Sequence, residues 1–250
     1  MSENQEKDWI AGRNPVLEAL KSGRAVHRLL VAAGDREGSV LKILQMAKDQ
    51  GIPIQEVDRK KLEQTVPGQH HQGVAAQVAA YEYAELEEVL EAHSSDPVQI
   101  VVLLDGLEDP HNLGSILRTA HAAGAVAVVV PKRRSVGLTA TVAKTSAGAI
   151  EHIPVCRVSN LSQTVEQLQK RGFWALAADA AGTASLYQTD LKGRLAIVVG
   201  SEGEGVSRLL RERCDYVVSI PMVGQMSSLN ASVAAGIILY EAVRQNMGSK

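Results

Sequence analysis

Three stretches of the chain end an apolar run in residues with chemistry open to them. In the first, residues 105–124, the run stops at Asp105, passes Asp109, His111 and Asn112, and reaches Arg118 six positions beyond Asn112. A carboxamide both donates and accepts hydrogen bonds, and a guanidinium holds carboxylates or phosphates. On a helix starting near Asn112, Arg118 shares a broad side with Gly114 and Ser115 and reaches back toward the loop. An ordinary N-cap followed by a solvated arginine accounts for the same residues.

The second stretch, residues 195–207, carries Gly200, Gly203 and Gly205 after a buried-looking strand. The spacing G-x-x-G-x-G without a following Lys-Ser or Lys-Thr fits neither a dinucleotide fingerprint nor a P-loop. Glu202 and Glu204 repel phosphate and favour a ligand with cationic groups, while a tight turn is the plain alternative. The third, residues 219–241, is a short strand, a loop at Gly224, and a Ser227-Ser228-Leu229-Asn230 cap opening a long helix. Ser227 and Ser228 are good N-caps. Ala231, Val233, Ala234, Ala235, Gly236, Ile237 and Ile238 make that helix small and apolar nearly all round, which predicts burial in a core or a subunit interface.

Residues of this kind need strand ends to hold them. From Val98 on, apolar strands at 100–105, 126–130, 173–178 and 195–200 alternate with helical patterns such as Leu113, Ile116, Leu117, Ala120 and Leu161, Val165, Leu168. This predicts a parallel sheet flanked by helices, with ligands at the carboxyl ends of its strands. Upstream, Asn14-Pro15 predicts a helix start and Gly23 its end. An apolar run at 26–33, a helix at 40–50, a strand at 52–57, a short helix and a strand at 73–80 complete a small alternating α/β domain. The acidic segment 81–97 closes on Ser-Ser-Asp-Pro and predicts a connector with some helix, which divides the chain into domains at 1–80 and 98–250 joined by a linker at 81–97.

With 250 residues and 45% hydrophobic content, each part can have its own core. Only 3% of residues are aromatic, so the cores draw on Ala, Val, Leu and Ile, and stacking platforms for single-stranded RNA are scarce. A net charge of -2 argues against coating nucleic acid by charge alone. Any such site is a local patch, for which Lys132-Arg133-Arg134 and the set Arg13, Arg24, His27, Arg28 are candidates; solvated surface runs explain them too. Cys156 and Cys214 lie far apart and predict reduced core thiols rather than a disulfide framework or a zinc site. No apolar run reaches the length of a membrane span and the amino terminus is polar and acidic, so a cytoplasmic protein is expected. Residues 248–250 read as a disordered tail.

In this order, the three stretches resemble the three motifs of the SpoU (TrmH) branch of the SPOUT methyltransferases: N-x-x-x-x-x-R from Asn112 to Arg118, the G-S-E-G-E-G loop at 200–205, and I-P-M followed by S-S-L-N-A-S-V-A-A-G-I at 220–237. Upstream, G-R-N-P-V-L-E-A-L at 12–20 and H-H-Q-G at 70–73 resemble the family's substrate-binding domain. Within the family, the large-subunit rRNA guanosine 2′-O-methyltransferases are the nearest kin by this pattern.

The resemblance implies a catalytic domain with a deep trefoil knot, a smaller α/β domain of the ribosomal L30e-like type, and a homodimer. It implies S-adenosylmethionine as cofactor, held at Gly200, Ile220 and Leu229 with Glu202, Met222 and Ser228 adjacent, and catalysis by Asn112, Arg118, Glu202, Ser228 and Asn230. The partner implied is large-subunit rRNA, not DNA, since the 2′-hydroxyl is itself the nucleophile; a tRNA ribose 2′-O-methyltransferase and a non-catalytic RNA-binding or ribosome-assembly factor are the alternatives. A neutral thioether leaves, so no metal is needed. The family's usual candidate base is Arg118, yet a guanidinium keeps its charge throughout the working range. Fixing a phosphate and the attacking oxygen is the better role for it, with Asn112 and Asn230 positioning the sugar.

Overall fold

The computed structural model describes residues 7–34, 38–225 and 228–247, so Ser227 and the tail at 248–250 lie outside the described residues. The chain forms two compact units, one of residues 1–82 with 138–152, the other of residues 83–137 with 153–250.

The first unit contains β1 (Lys7–Ala11), α1 (Arg13–Ser22), β2 (Val26–Ala32), α2 (Ser39–Asp49), β3 (Ile54–Val57), α3 (Arg59–Thr65) and β4 (Val74–Ala79). Its sheet runs β1-β4-β2-β3, with β2 and β3 parallel and the other pairs antiparallel. Local chemistry sets the ends of its helices. Asp58 accepts from the Lys61 amide at 2.7 Å to start α3, and Gly23 ends α1 with φ 77°. Asn14 is not the cap of α1: the helix starts at Arg13, two residues earlier than that cap would place it, behind Gly12, whose φ of 101° favours glycine. The strand β1 had no counterpart in the sequence pattern, because five residues beginning Lys-Asp carry too little alternation.

Later in the chain, residues 138–152, counted with the second domain on sequence grounds, group with this first unit. They hold a helix at Ala140–Thr145 (α6 in chain order) and a 3-10 turn at Ala149–Glu151. The Glu151 carboxylate accepts from Arg24 Nη1 at 3.1 Å and from the Tyr81 hydroxyl at 2.7 Å, with both charged side chains under a tenth exposed. Arg24 also lies 3.4 Å from the centre of the Tyr81 ring. A buried carboxylate needs such partners, and composition cannot reveal a partner 127 residues away. Burial and the Glu151 charge push the Tyr81 hydroxyl well above its ordinary pKa.

The second unit has α4 (Leu86–Ala92), β5 (Gln99–Asp105), α5 (Pro110–Ala122), β6 (Ala127–Pro131), β7 (Val155–Val158), α7 (Leu161–Lys170), β8 (Trp174–Ala178), β9 (Ala184–Ser185), β10 (Arg194–Gly200), α8 (Arg208–Arg213), β11 (Tyr216–Ser219) and α9 (Ala231–Met247). The sheet order is β7-β6-β5-β10-β8-β11-β9, and every pair is parallel. Strands covered on both faces read as continuous apolar runs, and the successive residues Val101, Val102 and Leu103, like Ala175, Leu176 and Ala177, are fully buried. The acidic stretch at 81–97 is more than a tether: Leu86, Val89 and Leu90 of α4 pack on this core and Ala84 bridges to Cys156. Their i, i+3, i+4 spacing is the apolar stripe that the many glutamates obscured. Both cysteines are free; Cys156 is buried and Cys214 partly so. Among the described residues no helix is long and apolar enough to cross a membrane.

Candidate active site

Gly200 closes β10 directly opposite Asp105 at the end of β5, where the strand sequence reverses direction across the sheet. Open parallel sheets hold ligands at such switch points. Residues 201–205 fold back as a small hairpin closed by the Gly205 amide donating to the Ser201 carbonyl at 3.0 Å. A Cβ on Gly200 would stand 2.0 Å from the Gly205 carbonyl carbon, and Gly203 and Gly205 have φ of 94° and 67°. The unusual glycine spacing therefore belongs to a loop that doubles back on its own backbone. Asp105 ties this loop to its neighbour by accepting from the Ser207 amide at 2.8 Å.

The first turn of α5 brings Asn112 to that loop. The helix begins at Pro110, two residues before the expected start, capped by Asp109 accepting from the His111 amide at 2.9 Å. Asn112 thereby turns inward and is only 7% exposed. Its Nδ2 donates to Glu202 Oε1 at 3.0 Å, and Asn230 Nδ2 donates to Asn112 Oδ1 at 2.9 Å and also to Glu202 Oε1. Asn230 Oδ1 meanwhile accepts from the backbone amides of Ser232 and Val233 at 3.0 and 3.3 Å. Asn230 is thus the cap of α9, in place of Ser227 or Ser228. One carboxylate that only accepts and two carboxamides that do both lock one another into a single arrangement, drawn from three separate segments of the chain.

This cluster stands at the edge of a cavity of about 740 Å³, large enough for a drug-sized ligand. Gly200, Glu202, Ile220, Met222, Ser228 and Leu229 all line it, as does Asn230. Apolar walls with Glu202 and Glu204 suit a ligand that combines a flat apolar group with positive charge. Asn112 reaches Glu202 from behind. Arg118, by contrast, is exposed, does not line the cavity, and has no hydrogen bond or ion pair among the described residues. The structure also brings in a pair that sequence reasoning missed. Asp179, just past the end of β8, accepts from Arg211 Nη1 and from the Ala181 amide, both at 2.8 Å, and both side chains of the pair line the cavity. An acidic residue directly after an apolar strand, as at Asp105, was the available signal. Beside it a Cβ on Gly182 would lie 2.6 Å from the Val218 carbonyl carbon, so the 180–182 turn crosses directly over β11.

Comparison with known proteins gives consistent matches over both units. The model of the SpoU rRNA methylase family matches residues 99–240, and that of the RNA 2′-O ribose methyltransferase substrate-binding family matches residues 9–84. A Bacillus subtilis (strain 168) protein assigned by name to the TrmH family of tRNA/rRNA methyltransferases is 52% identical over 243 residues, 97% of each chain. The crystal structure of the SpoU methyltransferase AviRb from Streptomyces viridochromogenes in complex with AdoMet superposes with a TM-score of 0.79 at 26% identity, covering 96% of this chain and 90% of that one. The A. aeolicus TrmH/SpoU tRNA modifying enzyme superposes with a TM-score of 0.55 at 29% identity, covering 66% of this chain and 83% of that one.

Proposed function

Because the chain belongs to the SpoU rRNA methylase family, we propose that it transfers the methyl group of S-adenosylmethionine to a ribose 2′-hydroxyl, the target being a guanosine of large-subunit rRNA. The observation that carries the chemistry is the Asn112–Glu202–Asn230 cluster at the edge of the large cavity. Apolar Ile220 and Leu229, the close-packed Gly200 backbone and the carboxylate of Glu202 suit the adenosine and the positively charged parts of the donor, with Met222 and Ser228 beside them. When bound, S-adenosylmethionine supplies an electrophilic methyl group.

The chain's own residues then have to orient a weakly acidic hydroxyl and steady the charge that grows on its oxygen. Asn112, from behind, and Glu202 together align Asn230 at the cavity edge for contact with the sugar, and Ser228 adds a hydroxyl at the cavity wall. Arg118, with no partner of its own among the described residues, is available to hold the phosphate and the attacking oxygen.

A ribosomal rather than transfer RNA substrate is favoured by extent. The SpoU rRNA methylase model matches residues 99–240 and a substrate-binding model residues 9–84, whereas the A. aeolicus tRNA modifying enzyme matches only two thirds of this chain, leaving a remainder of about the first unit's size. That unit, an L30e-like domain in this reading, selects the RNA; the second unit holds the catalytic machinery. The crossing of the 180–182 turn over β11 supports a knotted chain in the second unit. Val233 and Tyr240 on α9 are half exposed, at 49% and 51%, and give a homodimer its apolar contact. In this reading the enzyme acts in the cytoplasm, with rRNA as its partner. The test is incubation with labelled S-adenosylmethionine and either large-subunit rRNA or tRNA, followed by alkaline digestion. A labelled alkali-resistant dinucleotide carrying a methylated guanosine is expected from rRNA; label confined to tRNA would overturn the choice of substrate.

A further inference from the structure

A second cavity, of about 490 Å³, lies at the carboxyl ends of β5, β6 and β7, on the other side of the 201–207 loop from the first. Its mouth carries Lys132, Arg133 and Arg134, all exposed and all without a hydrogen bond or ion pair from their side chains among the described residues. The one carboxylate in its lining, Asp105, is engaged by the Ser207 amide. Three unpaired cations in a concave site of a chain with net charge -2 are a local excess that wants an anion.

The turn bearing them is held in place by its backbone while its side chains stay free. Ser135 Oγ donates to the Pro131 carbonyl at 2.5 Å, Arg157 Nη2 donates to the Lys132 carbonyl at 3.2 Å, and the Val136 amide donates to the Leu107 carbonyl at 3.2 Å. Arg134 sits at φ 56°, a left-handed conformation unusual for a residue with a side chain. Strain of that kind persists where surroundings over-determine it, often at binding sites. Serine hydroxyls at 159, 162 and 207 add donors, and the amino end of α7, ten residues long, faces the same space with Asn160 as its cap.

We propose that this cavity binds a phosphodiester of the RNA strand that carries the target nucleotide. The proposal rests on the reading of the chain as an RNA methyltransferase, and it adds an anchoring site distinct from the donor cavity. Because the wall between the two is the 201–207 loop, with Ser201 3.7 Å from where a Cβ on Gly106 would be, the anchored strand is led past the loop that bears Glu202. Its task is binding, so its loss raises KM and leaves the chemical step alone.

The experiment compares the wild type with the K132A/R133A/R134A variant and with a charge-keeping R133K/R134K variant, all checked for an unchanged melting temperature. In K132A/R133A/R134A the KM for rRNA is expected to rise about 10-fold or more, and the slope of log affinity against log salt to flatten by about 2, from three lost phosphate contacts. The kcat and the affinity for S-adenosylmethionine by calorimetry should stay within about twofold, and R133K/R134K should keep the wild-type slope. A wild-type KM and salt slope in K132A/R133A/R134A would overturn the proposal. So would saturation of the site by inorganic phosphate with no effect on RNA affinity, which would make it a free-anion site. If the wild type methylates no RNA, the functional reading fails instead, while the salt dependence of RNA binding still judges this cavity.

Discussion

At the scale of single residues, Glu202 is the hinge of the cluster, and two substitutions separate its roles. Glu202→Ala leaves the amides of Asn112 and Asn230 without their common acceptor; methyl transfer should fall about 100-fold or more as the sugar-positioning groups lose their alignment. Glu202→Gln keeps an acceptor oxygen and should recover part of that loss but bind S-adenosylmethionine more weakly, since the negative charge is gone. Initial rates and calorimetry check both. Gly200→Ala puts a methyl group within 2.0 Å of backbone, so it should destabilise by about 1–3 kcal/mol or more and weaken donor binding, read by urea unfolding. That Asn112, Glu202, Ile220 and Leu229 gather about one cavity was legible only through the family motifs taken together, because an N-cap or a tight turn accounts for each stretch by itself. Asp179 offered only its place after an apolar strand, and its partner Arg211 offered no signal, since the pairing spans 32 residues.

Among the elements, α9 has the most to do. Its amino end is capped by Asn230, while near its carboxyl end Gln245 and Asn246 bind the backbone of Thr189, Leu191 and Gly193 just ahead of β10. The helix therefore fixes both the site and the strand that leads into it. Asn230→Asp is the discriminating variant: a carboxylate still caps the helix, but it cannot donate to Glu202 and repels it. Methyl transfer should be lost in both, but Asn230→Asp keeps the helix cap, so Asn230→Ala should be the less stable of the two by about 1 kcal/mol. Thermal melts beside activity assays tell them apart. The apolar character of this helix was plain from its composition, as were the strands at 99–105 and 194–200, because burial on both faces leaves little but Val, Leu, Ile and Ala. Its cap was misplaced by two or three residues because Ser, Ser and Asn are equally good caps, and only the contact with Glu202 chooses among them. The helix at Leu86–Ala92 was half hidden for a different reason, its apolar stripe being narrow and its other faces acidic.

For the molecule as a whole, proton linkage gives a stability window with two edges. Burial, with the nearby charges of Glu85 and Asp215, pushes the thiols of Cys156 and Cys214 to about 12 from about 9. Between those values the folded chain holds protons that the unfolded chain releases, so stability falls as pH rises from about 9 toward 12. On the acid side, hydrogen bonds from Arg244 and then Gln245 hold Glu241 at about 2, against 4.5 unperturbed, so its contribution is lost as pH drops from 4.5 toward 2. Melting temperatures across pH check both edges, and the two cysteines should resist alkylation until the protein unfolds. If the wild type is the proposed dimer by light scattering, replacing the half-exposed Val233 and Tyr240 by glutamate should give monomers, through charge on the exposed side of α9. Deleting residues 1–82 would strip Glu151 of Arg24 and Tyr81, so the remainder should unfold residues 138–152 and show raised protease cleavage there while still binding S-adenosylmethionine.

The first unit is split along the chain, residues 83–137 intervening before 138–152 complete it. As the polypeptide leaves the ribosome, Arg24 and Tyr81 must wait for Glu151, and during that wait β5 and β6 have already emerged. Those strands wait longer still, because β10, the neighbour of β5, begins only at Arg194. Neither unit can finish before the other has started, so domain-by-domain folding from the amino terminus is closed to this chain. A nascent chain halted near residue 137 should hold both units open, exposing apolar strands to chaperones, while one released beyond residue 152 should protect the first unit alone from protease.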